Sequence, residues 1–390
     1  MLFSETLISQ NTGQNLTESP FPSKLFSEHL ETPEITIDDH VRKSSIALGE
    51  HLSSRKPVYL DMNYWIWLRD SQRISKPTKA SILFDLLQHG VRTKKIYCPI
   101  SHSTFIELLK QTDQSSRLLT ADLVDELSLG VAFAEENVRL STEFAHLMYE
   151  HSGFTDLHPI KNLVWTKLSY VLGVMHPSNT PFDNDTELAI QKAFFDHMCT
   201  LPLRDILEVI GGNHLPELNL GRTAQNVNDG NCAHSHEIRS FNQAYAAEIR
   251  GVFDISLDEL PDLIVDIARK NGTPVTSPND LQRRATRAYY RELFSQALEK
   301  NKERDRLRTA HIFACLHASL RWNKTRKYKA NDIFDFHHAV AALAYCDVFL
   351  TEKSLKTTVE QKHLQLDNLY GCKVAANMDE AISILQEIVD

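Results

Sequence analysis

The most constraining feature of this chain is an alternation of strand and helix patterns that stops and later resumes. In the first stretch the apolar run Val58–Leu60 ends at Asp61 and predicts a buried strand. "TKASILFDLLQHG" places Ile82, Leu83, Leu86 and Leu87 at helical spacing, with Gly90 as the expected stop. "KKIYCPIS" reads as a second strand, and "SHSTFIELLKQ" as a helix with Ser and Thr cap candidates that carries Glu107. In the last stretch "NDIFDFHHAVAALAYC" predicts a helix from Asn331 or Asp332, "DVFLT" a strand, "SLKTTVEQKHLQL" a helix, "CKVAA" a strand and "NMDEAISILQEI" a helix. Such alternation predicts parallel pairing, so the two stretches have to meet in one α/β sheet.

Between them, apolar residues recur three and four apart and strand signals fade, which predicts an all-helical insertion. The expected organisation is a loosely attached polar lead-in at 1–50, a first α/β half at 51–114, the helical insertion at 115–325 and a second α/β half at 326–390. No internal repeat of fixed period is found.

Composition narrows the function classes. With 42% apolar and 24% charged residues the chain reads as an ordinary globular protein. A net charge of -9 and a pI near 6.1 argue against a general nucleic-acid coat and leave room only for a local basic groove. There is no apolar run of about 18 residues, so no membrane-spanning helix is expected. "MLFSETLISQNTGQNL" lacks the basic and apolar regions of a signal peptide, so a cytoplasmic location is expected. The scattered cysteines suit reduced thiols. Cys199, Cys232, His234 and His236 lack a C-x-x-C and read as a polar loop rather than a zinc site. Without G-x-S-x-G, Walker or G-x-G-x-x-G motifs, serine-hydrolase and nucleotide-cofactor chemistry have nothing to stand on.

Active sites of open parallel sheets lie beyond the carboxyl ends of the strands. Asp61 and Glu352 each follow a strand there, and Glu107 and Asp335 sit on adjoining helices. Four like charges at one rim repel one another unless a cation binds or a proton is shared. Oxygen ligands of this kind suit Mg²⁺ or Mn²⁺, ions that activate water and clamp a phosphodiester. Asp347 is the rival for the fourth position, but five strand residues at about 3.3 Å each put it roughly 16 Å from Glu352. Asp332 is read as a helix N-cap, Trp65 and Trp67 as packing residues, and His337 and His338 as capping or surface residues with general-acid roles as the alternative.

The motifs that carry these acids resemble those of PIN-domain nucleases. "VYLDMNYWI" is similar to the family's first motif and "PISHSTFIELLK" to its second. "DFHHAVAALAYCDVFLTEKSL" is similar to the third and fourth, over about residues 55–112 and 328–390 in all. The resemblance implies a PIN-like parallel sheet flanked by helices, with Asp61, Glu107 and Asp335 as catalytic, metal-holding carboxylates. Asn63 and Thr351 would support them from behind. Glu352 stands where family members usually carry Asp, and Lys353 beside it would meet a phosphate. The implied activity is hydrolysis of phosphodiesters with Mg²⁺ or Mn²⁺, RNA more than DNA.

A basic run, "RWNKTRKYK", supplies Arg321, Lys324, Arg326, Lys327 and Lys329 just before the third acid, and reads as a phosphate-binding edge or a solvated helix end. "RRATRAYYR" reads equally as a single-strand contact or an amphipathic helix. The helical insertion is expected to shape access, bind a protein partner or drive self-association. Two rivals remain. A phosphatase of the haloacid-dehalogenase type begins with a similar strand and Asp but wants a second Asp where Asn63 stands. The other is a catalytically inactive PIN-like scaffold.

Overall fold

Among the described residues six strands form: β1 (Lys56–Leu60), β2 (Ile96–Tyr97), β3 (Val131–Phe133), β4 (Trp165–Lys167), β5 (Val348–Leu350) and β6 (Lys373–Ala375). The computed structural model describes residues 26–74, 76–211 and 219–389. The stretch in which a signal peptide was sought, and the first half of the expected lead-in, lie outside them.

The fold is mixed α/β. β1, β2, β5 and β6 make a parallel sheet in the order β2–β1–β5–β6, flanked by helices. The two halves of the alternating pattern therefore do meet, because Val58, Tyr59 and Leu60 pair with Val348, Phe349 and Leu350. Side chains alternate across the sheet, as strand geometry requires. Val58, Leu60, Val348 and Leu350 enter one core beneath the helices Met62–Ser71, Lys79–Arg92, His102–Leu109 and Met378–Val389. Tyr59 and Phe349 point the other way, into a core shared with Glu136–His151, Phe241–Ser256, Arg308–Trp322 and Ala330–Tyr345. Helices of the middle segment lie on both sides: Gln114–Ser128 and Leu203–Ile210 contribute to the first core, and Glu136–His151, Phe241–Ser256 and Arg308–Trp322 to the second. Among the described residues no helix is long and apolar enough to cross a membrane.

Three expectations need correction. The lead-in is not loose from Phe26 onward. It forms the helices Phe26–Leu30 and Ile37–Leu52, and Leu48 and Leu52 are buried in the second core. The helix Ile37–Leu52 is capped by Thr36, and Gly49 lets it press on the backbone of Asn162, where an added Cβ would lie 2.0 Å from the carbonyl oxygen.

The middle segment is not all helical either. Leu129 in a left-handed conformation ends the helix Gln114–Ser128, and β3 follows, pairing antiparallel with β4 and bridging to Ile100. Val131–Phe133 is too short to show a strand period inside helical surroundings. Finally, Gly90 does not stop its helix, which runs to Arg92. It makes room for Ile96 and Val389, whose side chains would lie within 3 Å of a Cβ there.

Candidate active site

The strand order reverses between β1 and β5: β2 lies outside β1, and β6 lies outside β5. That is the switch point at which ligands bind in open α/β sheets. Because Leu60 pairs with Leu350, the next residues, Asp61 and Thr351, emerge side by side at the carboxyl edge. Asp61 N–H donates to Leu350 O at 3.0 Å, and Thr351 N–H to Ala375 O at 2.9 Å.

Asp61 also caps the helix Met62–Ser71. Its carboxylate accepts the backbone N–H groups of Asn63 at 3.0 Å and Tyr64 at 3.3 Å. Asn63 thus supports Asp61 through its main chain. The carboxyl edge also explains the oddity of an acid at the end of a buried run: Asp61 is only 6% exposed but lies where a cleft opens.

That cleft, about 1100 Å³, is lined by all four expected acids, Asp61, Glu107, Asp335 and Glu352, together with Asn63 and His338. Glu107 comes from the helix His102–Leu109, which Ser101 caps; Asp335 comes from Ala330–Tyr345, and Glu352 follows β5. Burial pushes the Asp61 carboxyl up to about 6, against the opposing pull of His338 and Thr351. Burial and then the charge of Glu352 push Asp335 up to about 7, and Asp332 and Glu107 add to the effect. No hydrogen bond to the Asp335 carboxylate is found among the described residues.

Behind the acids runs a buried polar chain. His338 Nε2 meets Glu107 Oε2 at 2.7 Å, and its Nδ1 meets the Tyr59 hydroxyl at 2.6 Å; that hydroxyl lies 2.6 Å from Ser101 Oγ and 2.9 Å from Thr104 Oγ1. Tyr59, on the opposite face of β1 from Leu60, thereby fixes the orientation of the imidazole on Glu107.

The donor set suits a hard divalent cation. The acids offer only oxygen, and burial, the largest cause in each case, raises the carboxyls of Asp61 and Asp335. Thr351 adds a buried hydroxyl beside Asp61 that finds no partner of hydrogen-bond geometry, although it is close enough to hold the Asp61 carboxyl down. Among the described residues no three of these acids bring ligand atoms within 4.8 Å of one another.

Basic groups share the cleft with the acids. Lys110, Arg326, Lys327 and Lys329 line the cleft. Arg326 is committed to Asp332 at 2.8 Å and Thr358 at 3.2 Å, so it braces the loop between two helices. Lys110 lies 3.8 Å above the Phe334 ring.

Several expectations do not hold. Arg321 is not in the cleft; it pairs with Glu248 at 2.9 Å. Lys324 lines a separate hollow beside Trp322 and His363, because the loop turns between Lys324 and Thr325. Lys353 is exposed at a helix start and does not line the cleft. Asp332 is not the N-cap but sits at the third helical position, accepting from Lys329 N–H at 2.7 Å. His337 turns away to Glu136 at 2.8 Å, whereas His338 belongs to the site. The arginines of "RRATRAYYR" face acids: Arg283 pairs with Asp262, Arg287 with Asp258 and Arg291 with Asp254. Asp347, before β5, takes part in strand pairing at the far edge. Cys199 is buried against Tyr170 and Phe195 while Cys232 is exposed, and the four residues weighed for zinc form no ligand group among the described residues.

Lys110 and Gln111 were missed in the sequence, and His338, read there as a capping or surface residue with a general-acid role as the alternative, belongs to the site. His338 lies three residues after Asp335, and Lys110 three after Glu107, a spacing that places each pair on one helix face. Comparison with protein-family models, curated proteins and solved structures returns no match.

Proposed function

We propose that the chain is a PIN-like, metal-dependent nuclease that hydrolyses phosphodiester bonds, with RNA as the preferred substrate. The observation that carries this reading is the convergence of Asp61, Glu107, Asp335 and Glu352, from four separate segments, on one cleft that basic side chains also line. Asp61, Glu107, Asp335 and Glu352 would hold Mg²⁺ or Mn²⁺, with His338 orienting Glu107. The ion supplies a water of lowered pKa and a countercharge for the scissile phosphate. Lys327 and Lys329, exposed at the cleft, bind and orient the polyanion. Arg326 holds their loop in place, and Lys110 adds positive charge beside Glu107.

The phosphatase rival is less favoured, because Asn63 contributes its backbone rather than a second acid beside Asp61. The test is incubation of labelled RNA and DNA with wild type and Asp61→Asn, in Mn²⁺ or chelator. Metal-dependent RNA cutting by wild type alone supports the proposal. Intact polymers with a cleaved phosphomonoester favour the phosphatase, and no turnover of either favours the scaffold.

A further inference from the structure

Away from the cleft, one cluster of ligating side chains has no part in the proposed chemistry. His29, on the helix Phe26–Leu30, places Nε2 3.0 Å from Asp196 Oδ2; His40, on Ile37–Leu52, places Nε2 2.7 Å from Asp196 Oδ1. Asp196 belongs to the helix Asn184–Met198. One ligand atom from each residue lies within 4.8 Å of the others. We propose that His29, His40 and Asp196 form a structural site for one zinc-type divalent ion, fastening the N-terminal helices to the helix Asn184–Met198.

The geometry, burial and donor chemistry support this. Both imidazoles turn the same nitrogen toward one carboxylate, as ligands around a shared ion do, and two nitrogens with one oxygen suit a borderline cation rather than Mg²⁺. Ligand atoms about 2.1 Å from a tetrahedral ion stand about 3.4 Å from one another, so the 3.0 and 2.7 Å nitrogen–oxygen separations have to open by less than an ångström to admit it. His29 and Asp196 are 2% and 5% exposed, and Ile37, Val41, Tyr170, Phe195 and Met198 form an apolar shell beside them. His40 is the more open of the two histidines, with its side chain 15% exposed, which leaves a side from which water completes the coordination. Burial also holds His29 below its usual range, in the neutral form that binds metals.

The adverse charge is Lys192, but its ammonium donates to the carbonyls of Thr32 at 2.7 Å, Ile35 at 3.3 Å and His29 at 3.4 Å. The site also explains how a five-residue helix, too short to persist alone, is held at His29.

The experiment uses the full chain carrying Asp61→Asn and Asp335→Asn, so that the cleft cannot supply the signal. After metal stripping, Zn²⁺ or Mg²⁺ alone is added, excess is removed by gel filtration, and metal content and Tm are measured. The expected result is one zinc per chain, a raised Tm that chelation reverses, and no effect of Mg²⁺. His40→Gln and His29→Gln should each lose the zinc with circular dichroism unchanged. Should either substitution unfold the chain, Co²⁺ added to the unsubstituted histidines should give the visible bands of a tetrahedral nitrogen–oxygen site. No retained zinc, zinc retained equally by both histidine variants, or absent cobalt bands would show the cluster to be a hydrogen-bonded clasp.

Discussion

Asp335→Asn should stabilise the metal-free protein while removing a ligand from the cleft. Asp335 is partly buried, accepts no hydrogen bond among the described residues, and its carboxyl is raised from 3.8 to about 7. Burial comes first among the causes and Glu352 second, so the penalty falls on the ionised form. Raising an acid's pKa in the folded state means that folding favours the proton. Stability is then lost as pH rises from about 4 through about 7, and the loss is complete above that window. A shift of about three units corresponds to roughly 4 kcal/mol, which we halve to about 2 kcal/mol for solvent screening at a partly open site. Asn keeps the shape and carries no charge. Urea denaturation in chelator at about pH 8 should therefore show Asp335→Asn more stable by about 2 kcal/mol, with the gap closing near pH 4. A variant equal to or weaker than wild type at the higher pH would refute the claim that the cleft is a site of uncompensated negative charge.

Two further outcomes follow from the packing. Buried Glu143 joins three helices by accepting from Thr309 N–H and the hydroxyls of Thr309 and Tyr345, and burial raises its carboxyl from 4.5 to about 7. Stability should fall by at most about 3 kcal/mol between about pH 4.5 and 7, and Glu143→Gln should flatten that part of the profile in denaturation measured against pH. Gly49→Ala, which by helix propensity alone would gain about 1 kcal/mol, should instead lose about 2 kcal/mol or more in the same assay, because its Cβ meets the Asn162 backbone.

The parallel sheet and the acids at its rim were legible because the chain writes them locally. Apolar runs at Val58–Leu60 and "DVFL" end in acids, and parallel pairing sends both ends to the same edge. Glu107 and Asp335 were legible from their places on the adjoining helices. What stayed hidden depends on distant partners. Nothing near Arg321 reveals that Glu248 will take its charge, and nothing near Arg283, Arg287 and Arg291 reveals the ladder of Asp262, Asp258 and Asp254. The turn that parts Lys324 from Thr325 is likewise a property of the packed loop. Phe26–Leu52 looked loose because its contacts are sparse along the sequence: His29, His40, Leu48 and Leu52 find their partners only in the folded chain. His338 is the instructive case. Its spacing from Asp335 was plain, but its role needs Tyr59 from the sheet and Glu107 from another helix to converge on it.

The most direct measurement is a Mn²⁺ titration of the cleft by electron paramagnetic resonance, comparing wild type with Asp61→Asn/Asp335→Asn. Ion held by the four rim carboxylates predicts a saturable Mn²⁺ signal in wild type that disappears in the double variant, with both proteins folded. Equal manganese uptake by the two, or none by wild type, would contradict it.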